Sequence, residues 1–518
     1  MNGAQALIQT LVDSDVDVCF TNPGTSEMHF VAALDAVPEM RGVLGLFEGV
    51  VTGAADGYAR MAEKPAASLL HLGAGLGNGL ANLHNARRAH TPLINIVGDH
   101  ATYHKKYDAP LDSDIESIAR AVSGWLRTSA RADDVAGDAA EAVAAAIGPP
   151  GVVATLVLPA DVSWLGAPGP APRAALATRR EVSGDTIELI AKVLRTGGRT
   201  GLLLGGSAMR VRGLNAASRI ANTAGAKLLG ETFPARLERG AGIPNIERLG
   251  YLAEFMQVQM DGLRHLVLVD AKAPVSFFAY PDKPSDLVPE GCEVHVLAAG
   301  ADDADLALEQ LAEALGAAGD AATPAPATRP DAPSGALTAE TIAQAIGASL
   351  PEGAIVSDEA NTSGLFVPMT TGGAPPHDWL TLTGGAIGQG LPVATGAAVA
   401  CPDRKVVALE ADGSAMYTLQ ALWTQAREGL DVTTVIFGNR SYAILNLELS
   451  RVGAEEPGPK ALDMLDISRP DLDFVALARG MGVPASRADT ADEFGAQFEL
   501  AMAEPGPHLI DTVIPPVF

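Results

Sequence analysis

Short apolar segments rich in β-branched residues alternate along the chain with longer Ala-rich segments. Residues 93–97 read Leu-Ile-Asn-Ile-Val, residues 266–269 read Leu-Val-Leu-Val, and residues 432–437 read Val-Thr-Thr-Val-Ile-Phe. Such runs are typical of strands that are buried on both faces of a parallel sheet. The Ala-rich segments between them have the length and composition of helices. The alternation therefore predicts α/β units in which helices cover a parallel sheet on both sides.

Two stretches rich in Pro, Ala and Gly divide this alternation into three blocks. The first spans residues 166–172 and the second spans about 316–335, and both have the composition of linkers. The blocks are residues 1–165, 181–315 and 336–518, each of ordinary domain size. We expect three doubly wound α/β domains with parallel sheets.

Composition and charge exclude several classes of function for this chain. The 518 residues include 36 Lys+Arg and 62 Asp+Glu, a formal net charge of −26, and the basic residues cluster only in pairs. We expect no nucleic-acid partner, because contacts to the phosphate backbone need clustered positive charge. No apolar run approaches the ~20 residues of a membrane span and no signal peptide is recognisable, so we expect a cytoplasmic protein without a membrane partner. The three cysteines have neither disulfide nor zinc-site spacing.

A candidate metal site lies in the third block, where polar residues follow two neighbouring predicted strands. Asp412 follows the first strand, and Asn439 follows the second, 27 residues later. Adjacent parallel strands would place both residues at the carboxyl edge of one sheet, where open α/β sheets bind ligands. A carboxylate, an amide oxygen and a loop carbonyl suit Mg²⁺, which takes further ligands from water and phosphate. Gly413 would allow close backbone approach, and Ser414 could donate to a phosphate oxygen.

Taken alone, this pattern also has a purely structural explanation. Asp412 could cap a helix, and Asn439–Ser441 could be an ordinary turn. The spacing of one strand–helix–strand unit between the two residues favours the metal site.

A second candidate acid, Glu48, lies in the first block. It stands at the predicted end of an apolar strand and precedes a helix of small residues. A carboxyl group there should be largely desolvated, which favours its protonated form near neutral pH. An isolated acid in this position would be explained by the helix dipole alone. Here it is followed by residues 55–60, which read Ala-Asp-Gly-Tyr-Ala-Arg.

These motifs resemble those of thiamine-diphosphate (ThDP) enzymes of the 2-oxo acid decarboxylase and acetolactate synthase superfamily. Glu48 with residues 55–60 resembles the motif of their activating acid, and Asp412 with Asn439 resembles their metal–diphosphate motif. The resemblance covers nearly the whole chain. It implies a pyrimidine-binding first domain, a central domain of degenerate dinucleotide fold and a diphosphate-binding third domain. It also implies that Glu48 bonds the pyrimidine nitrogen N1′ of the cofactor.

The same resemblance assigns the metal ligands. It implies that Asp412 and Asn439 bind Mg²⁺ through their side chains and that Ser441 binds it through its carbonyl. Ala411 and Gly438 depart from the usual Gly and Asn of the motif. Neither position supplies a side-chain ligand, so the departures leave the metal set intact.

Further residues are assigned to the cofactor by resemblance. Residues 385–392 resemble the segment that holds ThDP bent, with Ile387 beneath the cofactor and the Gly385 carbonyl accepting from its 4′-amino group. Residues 358–363 resemble the diphosphate loop. Without the resemblance, the first segment would be a Gly-rich helix entry and the second a helix cap. The other implied cofactor contacts are Asn361, Thr362, Gly413, Ser414, Asn78 and Tyr442.

Two N-terminal stretches are most similar to the benzoylformate decarboxylases. Thr25 takes the place of a Ser that follows Asn-Pro-Gly, and His71 keeps a His that precedes a Gly-rich loop. Both are candidates for substrate carboxylate binding and proton transfer. The second active-site His of those enzymes has no counterpart at residues 276–280. His100 and His104 could be substrate groups or surface polar residues, and His29 has no assigned role.

The resemblance implies a ThDP- and Mg²⁺-dependent enzyme that decarboxylates a 2-oxo acid, joins the product to a second carbonyl compound, or does both. Residues 107–112 lack the Phe-Gln of true acetolactate synthases, which argues against acetolactate as the product. The alternatives are a non-ligating decarboxylase like benzoylformate decarboxylase, a C–C hydrolase and a non-catalytic regulatory subunit.

The central block has no complete Gly-x-Gly-x-x-Gly, which leaves FAD open as a ligand but does not favour it.

The resemblance also implies an assembly. It is a homodimer or a dimer of dimers with its sites at the dimer interface. Each site would take Glu48 from one chain and Asp412 from the other.

Overall fold

The computed structural model describes residues 1–317, 319, 321–454 and 457–515, which form three sheets with helices on their faces. The first sheet is parallel, with strand order β2-β1-β3-β4-β6-β5. Its strands are β1 (Val18–Thr21), β2 (Arg41–Leu44), β3 (Ala66–Leu70), β4 (Leu93–Asp99), β5 (Trp125–Thr128) and β6 (Val153–Pro159). The helices of this part are α1 (Gly3–Asp13), α2 (Met28–Ala33), α3 (Glu48–Ala62), α4 (Leu72–Arg88), α5 (Ile115–Arg120), α6 (Val135–Ile147) and α7 (Ala160–Trp164).

The second sheet is also parallel and has the order β10-β8-β7-β11-β12. The strands of the central part are β7 (Thr200–Leu204), β8 (Lys227–Gly230), β9 (Leu237–Arg239), β10 (Glu247–Arg248), β11 (His265–Val269) and β12 (Glu293–Ala298). Its helices are α8 (Gly184–Arg195), α9 (Val211–Ala224), α10 (Ala253–Gln259) and α11 (Ala304–Ala314).

The third sheet has the order β17-β18-β16-β15-β13-β14-β9. Its own strands are β13 (Ile355–Glu359), β14 (His377–Thr381), β15 (Val406–Ala411), β16 (Val432–Gly438), β17 (Ala485–Ala488) and β18 (His508–Val513). The helices are α12 (Ala339–Ser349), α13 (Val367–Thr370), α14 (Gly390–Ala400), α15 (Asp412–Thr418), α16 (Ala421–Glu428), α17 (Ala443–Arg451), α18 (Pro459–Asp463), α19 (Phe474–Gly480) and α20 (Ala491–Ala503). Short 3₁₀ helices span Thr25–Glu27, Leu34–Ala36, Lys105–Tyr107, Gly206–Met209 and Asn361–Gly364.

The apolar strands are buried on both faces, as their sequences predict. Along β4, Ile94 and Ile96 belong to one hydrophobic cluster, whereas Leu93 and Val97 belong to another. Alternate residues of a strand point to opposite faces, so each face of this sheet is covered. The α/β class with three doubly wound, mainly parallel sheets is thus confirmed.

Some local details differ from the sequence predictions. The strand before Glu48 ends at Leu44, and Glu48 is the first residue of α3 instead of a strand end. The strand β9 comes from the central part of the chain but joins the third sheet, antiparallel to β14. The helix expected after Asp412 is divided into α15 and α16. The predicted domain limits stay predictions; Ala318 and Asp320 of the second linker and residues 516–518 lie outside the described residues.

Helices α3 and α14 pack against each other at very close range. A Cβ on Gly57 would overlap the Val393 carbonyl, and a Cβ on Gly396 would overlap the Ala54 carbonyl. Only glycine permits such an approach of two backbones. One hydrophobic cluster includes residues of α3 and α14 together with strands of the first and third sheets. The two parts of the chain that carry the candidate site residues therefore share a core.

No helix among the described residues is both long enough and apolar enough to cross a bilayer.

Candidate active site

The predicted metal residues Asp412 and Asn439 lie at the carboxyl edge of the third sheet. β15 and β16 are parallel neighbours; Asp412 directly follows β15 and Asn439 directly follows β16. The Asp412 Oδ1 accepts a hydrogen bond from the Gly413 N–H at 2.8 Å, and its Oδ2 accepts one from the Arg440 N–H at 2.6 Å. Both carboxylate oxygens are therefore fixed by backbone groups.

The electrostatic surroundings of Asp412 suit a bound cation. Its side chain is buried, and no ion pair joins it to a Lys, Arg or His among the residues that the structure describes. Burial raises the pKa of Asp412, although the backbone hydrogen bonds oppose this effect. An ionised carboxylate in such a place normally needs a compensating positive charge. The oxygen-rich set therefore fits a hard divalent metal ion.

A tight turn brings Ser441 to the same place. The Asn439 Oδ1 accepts a hydrogen bond from the Ser441 N–H at 3.0 Å, and the Asn439 Nδ2 donates one to the Ser363 Oγ at 3.2 Å. Arg440 has a φ of 59°, in the left-handed region that side-chain-bearing residues rarely adopt. This strained turn directs two consecutive N–H groups towards Asp412 and Asn439. The structure thus brings the three predicted metal residues together.

The predicted diphosphate contacts surround this metal set. The Asn361 Nδ2 donates a hydrogen bond to the Ser414 Oγ at 2.9 Å, and Thr362 is buried in the same 3₁₀ helix. A Cβ on Gly413 would lie 2.5 Å from the Tyr442 ring atom Cε1, so these two residues are also in contact. Gly413 and Ser414 lie in the first turn of α15, and helix N-termini favour bound phosphate.

The segment predicted to hold the cofactor bent is an ordered loop between β14 and α14. Gly385 is exposed with a φ of 75°, and Ile387 is half-buried. The Gly388 carbonyl accepts hydrogen bonds from the Asn82 Nδ2 at 3.1 Å and the Thr418 Oγ1 at 3.0 Å. These contacts fix the loop between α4 of the first part and α15 of the third.

Two buried acids beside this loop were missed in the sequence. The Glu359 carboxylate accepts hydrogen bonds from the Gly388 N–H at 2.7 Å and the Gly390 N–H at 2.5 Å. Neither carboxylate oxygen of Glu410 has a hydrogen-bond partner among the described residues. Burial raises the pKa of Glu359 to about 7, and burial together with the neighbouring Glu359 raises that of Glu410. The only signal for Glu359 and Glu410 in the sequence is their position at strand ends, beside the diphosphate loop and the metal–diphosphate motif respectively.

Glu48 and Asn78 meet at the first turn of α3. Glu48 is 7% exposed, and its Oε2 accepts a hydrogen bond from the Asn78 Nδ2 at 3.0 Å. One helical turn further along α4, about 6 Å away, the Asn82 Nδ2 donates to both the Gly49 and the Gly388 carbonyls. The Glu48 carboxylate therefore lies beside the turn of α4 that carries Asn78. The Gly388 loop of the same chain lies beside the next turn, which carries Asn82.

His71 and Thr25 lie around a buried acid, Glu27, that was also missed. The Glu27 Oε2 is 2.7 Å from the His71 Nδ1 and accepts a hydrogen bond from the Gly24 N–H at 2.8 Å. Burial raises the pKa of Glu27, and the nearby His71 opposes this effect. Thr25 is exposed in the adjoining 3₁₀ helix. Glu27 lies three residues after Gly24 of the Asn-Pro-Gly motif, but its partner His71 is 44 residues away in the sequence.

His29, His100 and His104, the other histidines considered in the sequence, lie outside these contacts. The rings of His100 and His104 lie 5.5 Å apart, and His104 also packs near Tyr107. The ring of His29 is 5.7 Å from that of Trp164. Within the described part of the chain, no hydrogen bond joins the three histidine side chains to Glu48, His71 or Asp412.

Two family models match parts of this chain. The family model "Thiamine pyrophosphate enzyme, N-terminal TPP binding domain" matches residues 1–119. The model "Thiamine pyrophosphate enzyme, C-terminal TPP binding domain" matches residues 367–512. The two matched ranges contain Glu48 and the Asp412 set, respectively.

Full-length relatives extend the match beyond the two models. "Putative acetolactate synthase large subunit IlvX" of Mycobacterium tuberculosis is 62% identical over 516 residues, which are 99% of each chain. Benzoylformate decarboxylase of Pseudomonas aeruginosa is 31% identical over 532 aligned residues, covering 95% of each chain. The solved structure of the Rhodococcus jostii RHA1 thiamine diphosphate-dependent 4-hydroxybenzoylformate decarboxylase matches with a TM-score of 0.86 at 25% identity, over 99% of each chain. The chain therefore belongs to the family of thiamine-diphosphate-dependent enzymes that includes acetolactate synthases and benzoylformate decarboxylases.

Proposed function

We propose that this protein uses ThDP and Mg²⁺ to decarboxylate a 2-oxo acid. The observation that carries the proposal is the buried Asp412 carboxylate beside Asn439, which has no cationic side-chain partner among the described residues. Mg²⁺ at this place would compensate Asp412 and would also attract a diphosphate to a chain of net charge −26. Ser441 would complete the protein's share of the metal ligands through its carbonyl.

The cofactor would lie along the carboxyl edge of the third sheet. Asn361, Thr362, Gly413 and Ser414 would hold its diphosphate, with Tyr442 packed behind Gly413. When bound, ThDP supplies a carbon nucleophile for the keto group and accepts the electrons released as CO₂ leaves. The protein's own part is to orient this group, to exclude water and to move protons.

Gly385 and Ile387 would shape the pyrimidine end of the site. The exposed Gly385 carbonyl would accept from the 4′-amino group, and the half-buried Ile387 side chain would support the bent cofactor. Asn82 and Thr418 fix the following Gly388 and so limit movement of the loop. A fixed loop favours a reacting geometry that is already set before the substrate arrives.

Glu48 would hold a proton at the pyrimidine nitrogen N1′. Asn78 donates to one carboxylate oxygen, and the other has no side-chain partner among the described residues. The free oxygen is therefore available to a ligand nitrogen. A buried carboxyl group in this arrangement can act as a general acid–base group.

The Glu27–His71 pair would contact the substrate. Because the His71 Nδ1 faces the Glu27 carboxylate, the other ring nitrogen, Nε2, is free to contact a substrate. The ring is partly exposed, in contrast to Glu27. His71 would bind the substrate carboxylate or transfer a proton, with Thr25 as a neighbouring hydroxyl group.

We further propose that two chains share each site in a homodimer or a dimer of dimers. In one chain, Glu48 turns to Asn78, about one helical turn away from the contact between Asn82 and Gly388. The proposal rests on the family resemblance and on the absence, among the described residues, of any hydrogen bond between Glu48 and the Asp412 set of the same chain. A cytoplasmic location without nucleic-acid or membrane partners completes the proposal.

FAD is not part of the proposed function. In dinucleotide folds, the Gly-rich turn after the first strand holds a pyrophosphate. Here a Cβ on Gly206 would overlap the Asp270 carboxylate, and a Cβ on Gly205 would lie 3.1 Å from the Glu231 carboxylate. The Gly206 and Ser207 N–H groups of this turn already donate to Glu231 and Asp270, at 3.3 and 3.4 Å, and so are not free for a pyrophosphate.

Aromatic residues near the cofactor loop favour an aromatic 2-oxo acid. A Cβ on Gly385 would lie 2.8 Å from the Phe277 ring. The Phe277 ring centroid is 5.1 Å from those of Tyr251 and Phe278 and 5.9 Å from that of Phe233. Phe277 and Phe278 are exposed, so part of this aromatic cluster can contact a ligand ring. Two relatives with aromatic substrates in their names support the same choice.

Carboligation is the second candidate, favoured by the acetolactate synthase name of the relative with 62% identity. The deciding experiment is a CO₂-release screen over aromatic and aliphatic 2-oxo acids, with and without acceptor aldehydes. We expect release from an aromatic acid and recovery of its aldehyde without any acceptor. Release that needs an acceptor would identify a carboligase. ThDP binding without turnover of any 2-oxo acid would contradict the proposal.

A further inference from the structure

Three potential metal ligands cluster in the central sheet, on strands that the proposed active site does not use. His265 begins β11, and Glu293 and His295 lie on the edge strand β12. The two strands are parallel neighbours, and His265 pairs with Glu293. Residues two positions apart on a strand point to the same face. All three side chains therefore project from one face of the sheet at the amino ends of the strands.

The ligand atoms already form a triangle of the right size. The His265 Nδ1 lies 3.2 Å from the His295 Nε2. The Glu293 Oε2 lies 3.6 Å from the His265 Nδ1 and 3.8 Å from the His295 Nε2. A point equidistant from these atoms is about 2.1 Å from each, which matches the usual bond lengths from zinc to imidazole nitrogen and carboxylate oxygen.

We propose that His265, Glu293 and His295 bind a divalent transition-metal cation, with Zn²⁺ as the reference ion. Two imidazoles and one carboxylate favour such a cation over Mg²⁺, which prefers oxygen ligands. The side chain of Glu293 is 71% exposed, so one side of the cluster is open and water can complete the coordination. In the metal-free form the two facing ring nitrogens can share only one proton, and the metal would take its place.

A metal here would tie the edge strand of the central sheet to its neighbour. β12 pairs only with β11 among the described residues, and its first residues are exposed. Edge strands are less protected from opening than interior ones. Because the cluster is on a different sheet from Asp412 and Asn439, we expect metal binding to change stability and to leave ThDP binding unchanged.

The test uses untagged protein loaded with ThDP and saturating Mg²⁺, titrated with Zn²⁺ by calorimetry. We expect one more equivalent of Zn²⁺ in the wild type than in the His265→Ala/His295→Ala double variant. Zn²⁺ that exchanges into the Asp412 set contributes equally to both proteins and cancels. Glu293→Gln should weaken binding at least about tenfold, because it removes the charged ligand. Equal uptake with equal affinity by wild type and double variant would overturn the proposal.

His508→Ala is the matched control. The His508 Nε2 lies 3.5 Å from a Glu504 oxygen, which makes a similar pair without a third ligand. This variant should bind Zn²⁺ as the wild type does. Thermal unfolding adds a second readout, since Zn²⁺ should raise the Tm of the wild type and of His508→Ala more than that of Glu293→Gln.

A spectroscopic measurement keeps the test decisive if the alanine variants fail to fold. Co²⁺ added to the wild-type holoenzyme should give the strong visible absorption of a four- or five-coordinate ion. Only the weak spectrum of six-coordinate Co²⁺ would overturn the assignment.

Discussion

Glu48 and Asp412 both begin a helix that follows a strand, but they are held in different ways. Each is buried, Glu48 in α3 and Asp412 in α15. Both oxygens of Asp412 accept backbone hydrogen bonds, whereas Glu48 accepts one bond from the Asn78 side chain. A carboxylate fixed by backbone suits a stationary cation, and one held by a single side chain remains able to exchange a proton. The two acids differ in their hydrogen-bond partners, and this difference fits the two proposed roles.

The largest effect should come from the Glu48→Gln variant. The amide keeps the shape of the side chain but cannot donate or accept a proton at N1′. We expect turnover to fall ~10²–10⁴-fold, whereas ThDP affinity should change little. Steady-state kinetics, calorimetry and deuterium exchange at C2 of bound ThDP measure these effects. Glu39→Gln, on the exposed surface of the same part, is the control. Unchanged C2 exchange would remove Glu48 from the mechanism.

The Asp412→Ala variant should show the opposite pattern. Loss of the backbone-fixed carboxylate removes a metal ligand, so ThDP affinity in Mg²⁺ should fall at least about a hundredfold. Calorimetric titration of ThDP, with Asp403→Ala as a surface control, measures the change. ThDP binding within a factor of two of the wild type would contradict the metal assignment.

Mixed dimers test whether the two acids act across chains. Glu48→Gln and Asp412→Ala should each be inactive as homodimers. In a mixed dimer with shared sites, one site carries both changes and the other carries neither. Co-refolding of equal amounts should therefore restore about a quarter of wild-type activity, because half the dimers are mixed and half of their sites are intact. Verified mixed dimers without activity would show that each site is built within one chain.

The smallest effect concerns the Glu27→Gln variant. We expect kcat/KM to fall about tenfold, since His71 loses its charged partner. Burial raises the pKa of Glu27, so the folded protein binds this proton more tightly than the unfolded chain does. Its contribution to stability is therefore greatest at low pH and declines as the pH rises through the raised pKa. Glu27→Gln should remove that decline.

Thermal unfolding at about pH 5 and about pH 8 tests whether protonation of Glu27 is coupled to the stability of the fold. The gain in Tm of Glu27→Gln over wild type should be larger at the higher pH. Glu39→Gln should give no such difference. An equal Tm change at both pH values would show that Glu27 has the same protonation in the folded and unfolded states.

The sequence predicts those parts of the fold in which one physical rule dominates. Interior parallel strands such as β4 and β16 must be apolar throughout, so their runs are visible in the sequence. The strand β9 has only three residues, and its partner β14 lies far along the chain, so no local pattern indicates it. The split between α15 and α16 likewise depends on tertiary packing.

The same limit applies to the candidate site. The sequence predicts that Asp412 and Asn439 lie together, because the topology of adjacent parallel strands places their ends at one edge of the sheet. Glu27, Glu359 and Glu410 were missed because their neighbours come from distant parts of the chain. Glu293 and His295 alternate on β12, but nothing in the sequence places His265 on the neighbouring strand beside them.

The glycine contact between α3 and α14 also constrains how this protein can recombine with its relatives. Gly57 and Gly396 each face a backbone carbonyl of the other helix, so neither helix can gain a side chain there while the partner stays unchanged. A chimaera that takes its first block from one enzyme and its third from another would need small residues at both positions. The two ends of the gene are therefore expected to be inherited as a matched pair.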